Sequence, residues 1–463
     1  MVSTPIFRQV LLGNGEQTVP STPATFASVP APQPRAPSLL RHRDFLLLWS
    51  GQAVSQFGTH IGKSSIDFAA IATLGATPYQ VATLGAVGHI AGTVGAAIAS
   101  SIADRLPRRP VMIASDLGRA ALTLAVPALA IAGGLTFTHL LIVATLIGVL
   151  TVIFEVSASA YLPTVVSPDE IVDANGKISA SGAVAEVAGF GIAGWLVQWL
   201  TAPIAVAVDG ISFIASAVSL WQIRAPEPGR PTSVKARPHQ RQPLVQRVRA
   251  VWKHAVSEAR IGLRTIGDNP VLRALFVVFI VDGAAGGIAN VTIVLYMIRG
   301  IGFEPGILTM IWAIGGITSF ASALMVPRLV ARFGAGRTMS TGLFTTGVGT
   351  LLIPLATGPT VAGAILLILN QIVVDPGATA YSITSASLQQ SIVPNDVLGR
   401  VSAVTRFAVS VATVAGMIAG GIIAEAFGMR VGVAASGIGA IIAGLILATG
   451  PAGRLGPITV STD

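Results

Sequence analysis

Twelve apolar stretches long enough to cross a bilayer run through this chain, and its second half repeats the first at a nearly constant offset. Asp104-Arg105 aligns with Ala331-Arg332 (227 apart), Ser157-Ala158-Ser159 with Ser385-Ala386-Ser387 (228 apart), and Pro168-Asp169-Glu170 with Pro394-Asn395-Asp396 (226 apart). Lipid offers no partner for backbone N–H and C=O groups, which leaves helices or closed barrels as spanning structures. Apolar runs of roughly 20 residues select helices. The expected fold is therefore all-α, with twelve transmembrane helices arranged as two six-helix halves. A duplicated bundle of this kind can expose one central cavity to either side of a membrane by rocking its halves.

Charge distribution gives the orientation. Only 11% of the 463 residues are charged, against about 25% in a soluble domain. Of the 29 Lys and Arg, 25 fall in the terminal regions and in alternate loops on one side. Two (Arg299, Arg430) fall on the other side, and two (Lys63, Arg119) lie within spans. This asymmetry puts both termini and the long central loop in the cytoplasm of a plasma membrane. It also accounts for the net charge of +9 without a nucleic-acid partner. With no Cys in the chain, disulfides and thiolate chemistry are excluded.

Five segments are expected: a disordered cytoplasmic tail over 1–40, a first six-helix bundle over 41–224, a cytoplasmic linker over 225–268, a second bundle over 269–450, and a tail over 451–463. Within the linker, Leu244, Val248, Val251, Trp252, Ala255, Ala259 and Leu263 recur at helical spacing. They predict an amphipathic helix lying along the inner membrane surface as a tether. Outer loops are short and leave no room for an extramembrane domain.

The loop after the second span reads Ser100-Ser101-Ile102-Ala103-Asp104-Arg105-Leu106-Pro107-Arg108-Arg109. It resembles the signature of the major facilitator superfamily, with Ser100 and Pro107 in place of the usual glycines. The resemblance implies a cytoplasmic gate latch made by Asp104, Arg105 and Arg109. Phe154-Glu155-Val156 with Tyr161-Leu162-Pro163, then Val208-Asp209-Gly210-Ile211-Ser212-Phe213, and Leu388-Gln389-Gln390 through Gly399-Arg400-Val401 are similar to the branch containing the enterobactin exporter and macrolide efflux proteins. The fifth helix departs from the antiporter pattern, with Gly189-Phe190 where a Gly-Pro pair is usual.

Polar stripes mark a cavity. In the first helix Gln52, Gln56, Thr59, Lys63 and Asp67 share one face, with His60 beside it. A Lys or Asp at the bilayer centre costs roughly 2.5–3.5 kcal/mol, so this face is expected to turn inward, where Lys63 and Asp67 can pair. The fourth helix carries Thr151, Glu155 and Ser159, the seventh Asp282 and Asn290, and the tenth Gln371, Asp375, Thr379, Ser382 and Gln389. The resemblance implies that these four helices line the path and leaves Asp116, Arg119, Glu186 and Asp209 outside it. Asp116 and Arg119 are expected to pair locally with the gate loop. Gly88, Gly92, Gly95, Gly416 and Gly420 are expected to let the two halves approach closely.

The function expected is export of a small organic molecule (a drug, siderophore or secondary metabolite) by alternating access, with proton antiport. The substrate-binding or proton-coupling candidates are Gln52, Gln56, His60, Lys63, Asp67, Glu155, Asp282, Asn290, Gln371 and Asp375. An importer, a uniporter or a lipid transporter of the same fold remains open. An integral membrane lipid enzyme is a remote alternative, because the six His are scattered without metal-ligand spacing. No cofactor, no metal and a monomeric state are expected.

Overall fold

The computed structural model describes residues 39–103, 106–225 and 244–455. Described residues form helices and no strand. Six of the helices make the first half: α1 (Arg43–Phe68), α2 (Pro78–Ala103), α3 (Arg108–Ile131), α4 (Phe137–Val165), α5 (Ile171–Leu200) and α6 (Ala202–Gln222). After α7 (Leu244–Asp268) come α8 (Pro270–Leu295), α9 (Pro305–Phe333), α10 (Ala335–Thr350), α11 (Val361–Ile392), α12 (Asn395–Phe427) and α13 (Met429–Thr449). The expected tails over 1–38 and 456–463, and linker residues 226–243, lie outside the described residues.

The repeat survives in the geometry. α1 packs on α5 and α6 as α8 packs on α12 and α13, and the α2–α4 and α9–α11 pairs match. Each first helix ends in a π turn, at Ala69–Thr73 and at Tyr296–Ile301. A left-handed glycine follows each, Gly75 at φ +65° and Gly302 at φ +84°. The α5–α6 and α12–α13 corners also match, with Thr201 at φ 77° and Gly428 at φ 93°. Only glycine adopts that backbone region freely, so the first-half corner is strained.

Nine of the described helices are long and apolar enough to cross a membrane by themselves. Three expected spans fall outside the nine: α1, whose polar stripe lowers its hydropathy, α2, and α10, which has only 16 residues. All three pack against neighbouring helices of the bundle. Several helices outrun the apolar stretches that the sequence shows at 306–326, 360–385 and 402–424: α9 continues to Phe333, α11 to Ile392, and α12 starts at Asn395. Hydropathy marks the lipid slab, while a helix runs on until a breaker stops it, as Gly334 does after α9.

The halves meet through α2 with α12 and α5 with α9. At the end away from the termini one apolar core serves both, joining Phe68, Ile71 and Val206 to Val291, Leu295 and Met417. Near the termini the cores are separate: Phe45, Leu48, Met112 and Leu220 in one half, and Leu275, Met339 and Leu447 in the other. The bundle is thus sealed at the far end. Hydrogen bonds reinforce the seal. Arg299 donates to the carbonyls of Ala76 (2.7 Å) and Ile71, and Gln198 Nε2 donates to Glu304 at 2.7 Å.

One expectation is corrected here. Gly416 and Gly420 pack on Ala284 and Ile288 of α8, and Gly95 on Val149 of α4, all within a half; no neighbour lies within 4 Å of the Cβ position of Gly88 or Gly92. Close approach between halves occurs instead at Gly194 against Pro305, Gly306 against Trp195, and Gly421 against Pro78 and Ala82. Spacing shows that a helix has a small face, but not which neighbour it meets. α7 packs on α12, with Glu258 paired to Arg400 and with Gly262 and Ile266 buried, while Leu263 of its apolar positions is exposed.

Candidate functional site

A cavity of about 610 Å³ lies between the halves. From the first half, α1 presents Lys63, Asp67 and Phe68, and α5 presents Glu186, Val187 and Phe190. From the second, α8 presents Asn290 and Val294, α9 presents Trp312, Ser319 and Phe320, and α11 presents Gln371 and Asp375. A second cavity of about 650 Å³ opens within the first half between α1, α3, α4 and α5. Gln52, Gln56, Thr59, His60, Arg119, Thr151, Glu155 and Ser159 line it, and Lys63, Glu186 and Phe190 border both spaces.

The α1 stripe faces inward along its whole length, from Gln52 and Gln56 through His60 to Lys63 and Asp67. Lipid insertion cost alone dictates that direction. The expected Lys63–Asp67 ion pair does not form; the ion pairs among described residues are made by other side chains. The His60 ring tilts against Phe190 with centroids 5.3 Å apart. Gly189 makes this possible, because a Cβ there would lie 2.8 Å from His60 Cβ.

The α11 stripe divides. Gln371 and Asp375 reach the cavity between the halves, whereas Gln389 lies within 3.5 Å of Thr405 of α12. A Cβ at Gly315 would fall 2.1 Å from Asp375 Oδ2 and 2.4 Å from Gln371 Nε2, so glycine leaves the room these two side-chain ends occupy. Asp375 Oδ2 is buried and has no hydrogen-bond partner. Hydroxyls of α9 bind carbonyls of α11 nearby, Thr318 to Gln371 at 3.3 Å and Ser322 to Pro376 at 2.9 Å. They tie α9 to α11 on either side of the break that Pro376 makes in the helix.

Other candidates go elsewhere. Asp282 lines neither cavity and lies within electrostatic reach of Tyr381. Asp104 and Arg105 lie outside the described residues. Arg109 binds the last carbonyls of α6, Leu220 at 2.8 Å and Trp221, which fastens α3 to α6 within one half.

Glu186 and Arg119, expected outside the path, border the cavities. The sequence did hold the signal for Glu186: a carboxylate inside an apolar helix must find a polar space. Trp312 and Ser319 gave no such signal, since either residue suits a lipid-facing or a packed position. Among the described residues no three His, Cys, Asp or Glu gather as a metal site.

The profile of the Major Facilitator Superfamily matches residues 48–413. No curated protein matches the sequence. The fold is similar to solved structures of distant sequence. The nucleoside transporter NupG aligns with a TM-score of 0.68 at 13% identity, over 87% of this chain and 98% of that one. A bacterial homologue of the iron transporter ferroportin in its inward-facing state gives 0.67 at 15%, over 89% and 98%. The POT family transporter PepTSo gives 0.61 at 14%, over 88% and 97%.

Proposed function

Because this chain belongs to the Major Facilitator Superfamily, whose members are multi-pass secondary transporters and not enzymes, we propose that it exports a small organic compound by alternating access in exchange for protons. The observation that carries this reading is the composition of the cavity between the halves. Asp67, Glu186 and Asp375 face one cation, Lys63, among Phe68, Phe190, Trp312 and Phe320. Aromatic and aliphatic walls hold an organic body, and a few polar anchors orient it. Surplus carboxylates give protons a place to bind in competition with the substrate, which is the chemical requirement of exchange.

The positive-inside asymmetry supports a plasma-membrane orientation with cytoplasmic termini. The apolar cores of the two halves are separate toward the termini, and a cavity that opens on that side loads from the cytoplasm, as an exporter needs. The division into a 1–40 tail, bundles at 41–224 and 269–450, a 225–268 linker and a 451–463 tail belongs to the same reading, as does a monomer working in the lipid bilayer. Gradients and unequal affinities of the two states set direction.

Proteoliposomes loaded with antibiotics, dyes and siderophores test the proposal under an imposed proton gradient, with Asp67→Asn and Asp375→Asn beside wild type. Gradient-driven movement lost in either variant is expected. Movement indifferent to the gradient and to both substitutions would overturn proton antiport and leave a uniporter.

A further inference from the structure

Three carboxylates surround one guanidinium inside the first half, away from the cavity between the halves. Arg119 of α3 is 3% exposed, and Asp116, one turn earlier, is 0% exposed. They form an ion pair through one oxygen, Asp116 Oδ1. The guanidinium lies between the rings of Phe154 of α4 and Phe213 of α6, 4.5 and 4.2 Å from their centroids. Asp116 Oδ2 and Arg119 Nε are buried without a hydrogen-bond partner. A single ion contact therefore holds the pair, with the Ser216 hydroxyl beside Asp116, and the guanidinium keeps unused donor capacity at Nε.

Asp209 of α6 is 3% exposed and lies within coulombic reach of Arg119 and Asp116, but it forms no ion pair. Its Oδ1 accepts from the Thr59 hydroxyl at 3.5 Å. α1 lies directly against it, since a Cβ at Gly62 would fall 2.4 Å from Asp209 Oδ2. Glu155, at the cavity edge, is the third carboxylate within reach of Arg119. The other charged groups within the membrane-spanning parts of the packed helices, His60, Lys63 and Asp67 on α1 and Glu186 on α5, line the cavities.

Asp116 and Asp209 are both buried, and one cation cannot neutralise two carboxylates. An uncompensated buried charge is costly, and a bound proton removes it at the smallest structural expense. Asp116 is the one that Arg119 holds, so the proton falls to Asp209. We propose that Asp209 is a proton-binding site of the first half, which exchanges its proton with the cavity through the Thr59 hydroxyl. Thr59 touches Asp209 on one side and lines the cavity on the other. Deprotonation makes Asp209 a second claimant for Arg119 and draws the guanidinium from between Phe154 and Phe213. Proton occupancy is thereby linked to the packing of α3, α4 and α6.

The part this site plays in transport rests on the antiport reading, but proton binding does not, and it can be read without any substrate. The full chain in lipid nanodiscs is examined by pH-difference infrared spectroscopy. Wild type is expected to show a protonated-carboxyl band near neutral pH that Asp209→Asn lacks. Asp116→Asn, which frees Arg119 for Asp209, is expected to remove the same band by ionising Asp209. Thr59→Val keeps the band and slows its hydrogen–deuterium shift. A band unchanged in Asp209→Asn, or one that persists in Asp116→Asn, would overturn the proposal; Asp116→Asn and Thr59→Val carry the test if Asp209→Asn does not fold. An Asp209 band in a protein whose transport ignores the proton gradient would retain the site and reject antiport alone.

Discussion

Arg299 is the strongest polar fastener across the sealed end, and its removal has a calculable effect on the balance of states. Its guanidinium donates to the Ala76 and Ile71 carbonyls, at the π turn and corner that close α1. Hydrogen bonds from a charged donor are worth about 1.5–3 kcal/mol each when well shielded. Arg299 is an exposed residue and water can replace it at both carbonyls, so the pair together contributes about 1–2 kcal/mol. Arg299→Ala should therefore shift the ratio of far-end-open to far-end-closed molecules by about 5- to 30-fold. Gln198 and Glu304 still bridge α5 to the start of α9, so closure is weakened and not abolished. The natural chain has no Cys, which allows spin labels at Trp199→Cys and Phe427→Cys, two positions 72% and 73% exposed at that end. Pulsed electron resonance in nanodiscs would read the distance between them. An unchanged distance distribution would refute the reasoning and assign the seal to the shared apolar core and the Gln198–Glu304 bridge.

Other substitutions separate closure from stability. Gly194→Val places a Cβ 2.2 Å from the Pro305 carbonyl oxygen, a clash between halves; it should raise the far-end-open population by the same labels and leave each half folded. Gly416→Val meets the Ala284 carbonyl oxygen at 2.0 Å inside the second half. Overpacking of this kind costs about 1–3 kcal/mol, read as a lower unfolding temperature with the label distances unmoved. Thr201→Gly relieves a backbone conformation that costs a β-branched residue about 1–3 kcal/mol; thermal unfolding should show a gain, reduced by the extra freedom glycine has in the unfolded chain.

Much of the architecture follows from one-dimensional information. Apolar runs of bilayer length, the 226–228-residue repeat and the one-sided Lys and Arg fix an all-α duplicated bundle and its expected orientation. The inward direction of the α1 stripe was equally legible, because lipid penalises Gln52, Lys63 and Asp67 wherever the fold places that helix. Pairing between helices was not. Gly416 and Gly194 are both small residues on apolar helices, yet one packs within a half and the other between halves. Glu186 and Asp282 are both intramembrane carboxylates, yet of the two only Glu186 lines the cavities. Insertion cost depends on a residue's own side chain and depth, so the sequence by itself determines which residues avoid lipid. Which partner each one meets depends on the rotation of its helix and the identity of the facing helix. Those are set by contacts between residues far apart in the chain, and only the tertiary structure decided them.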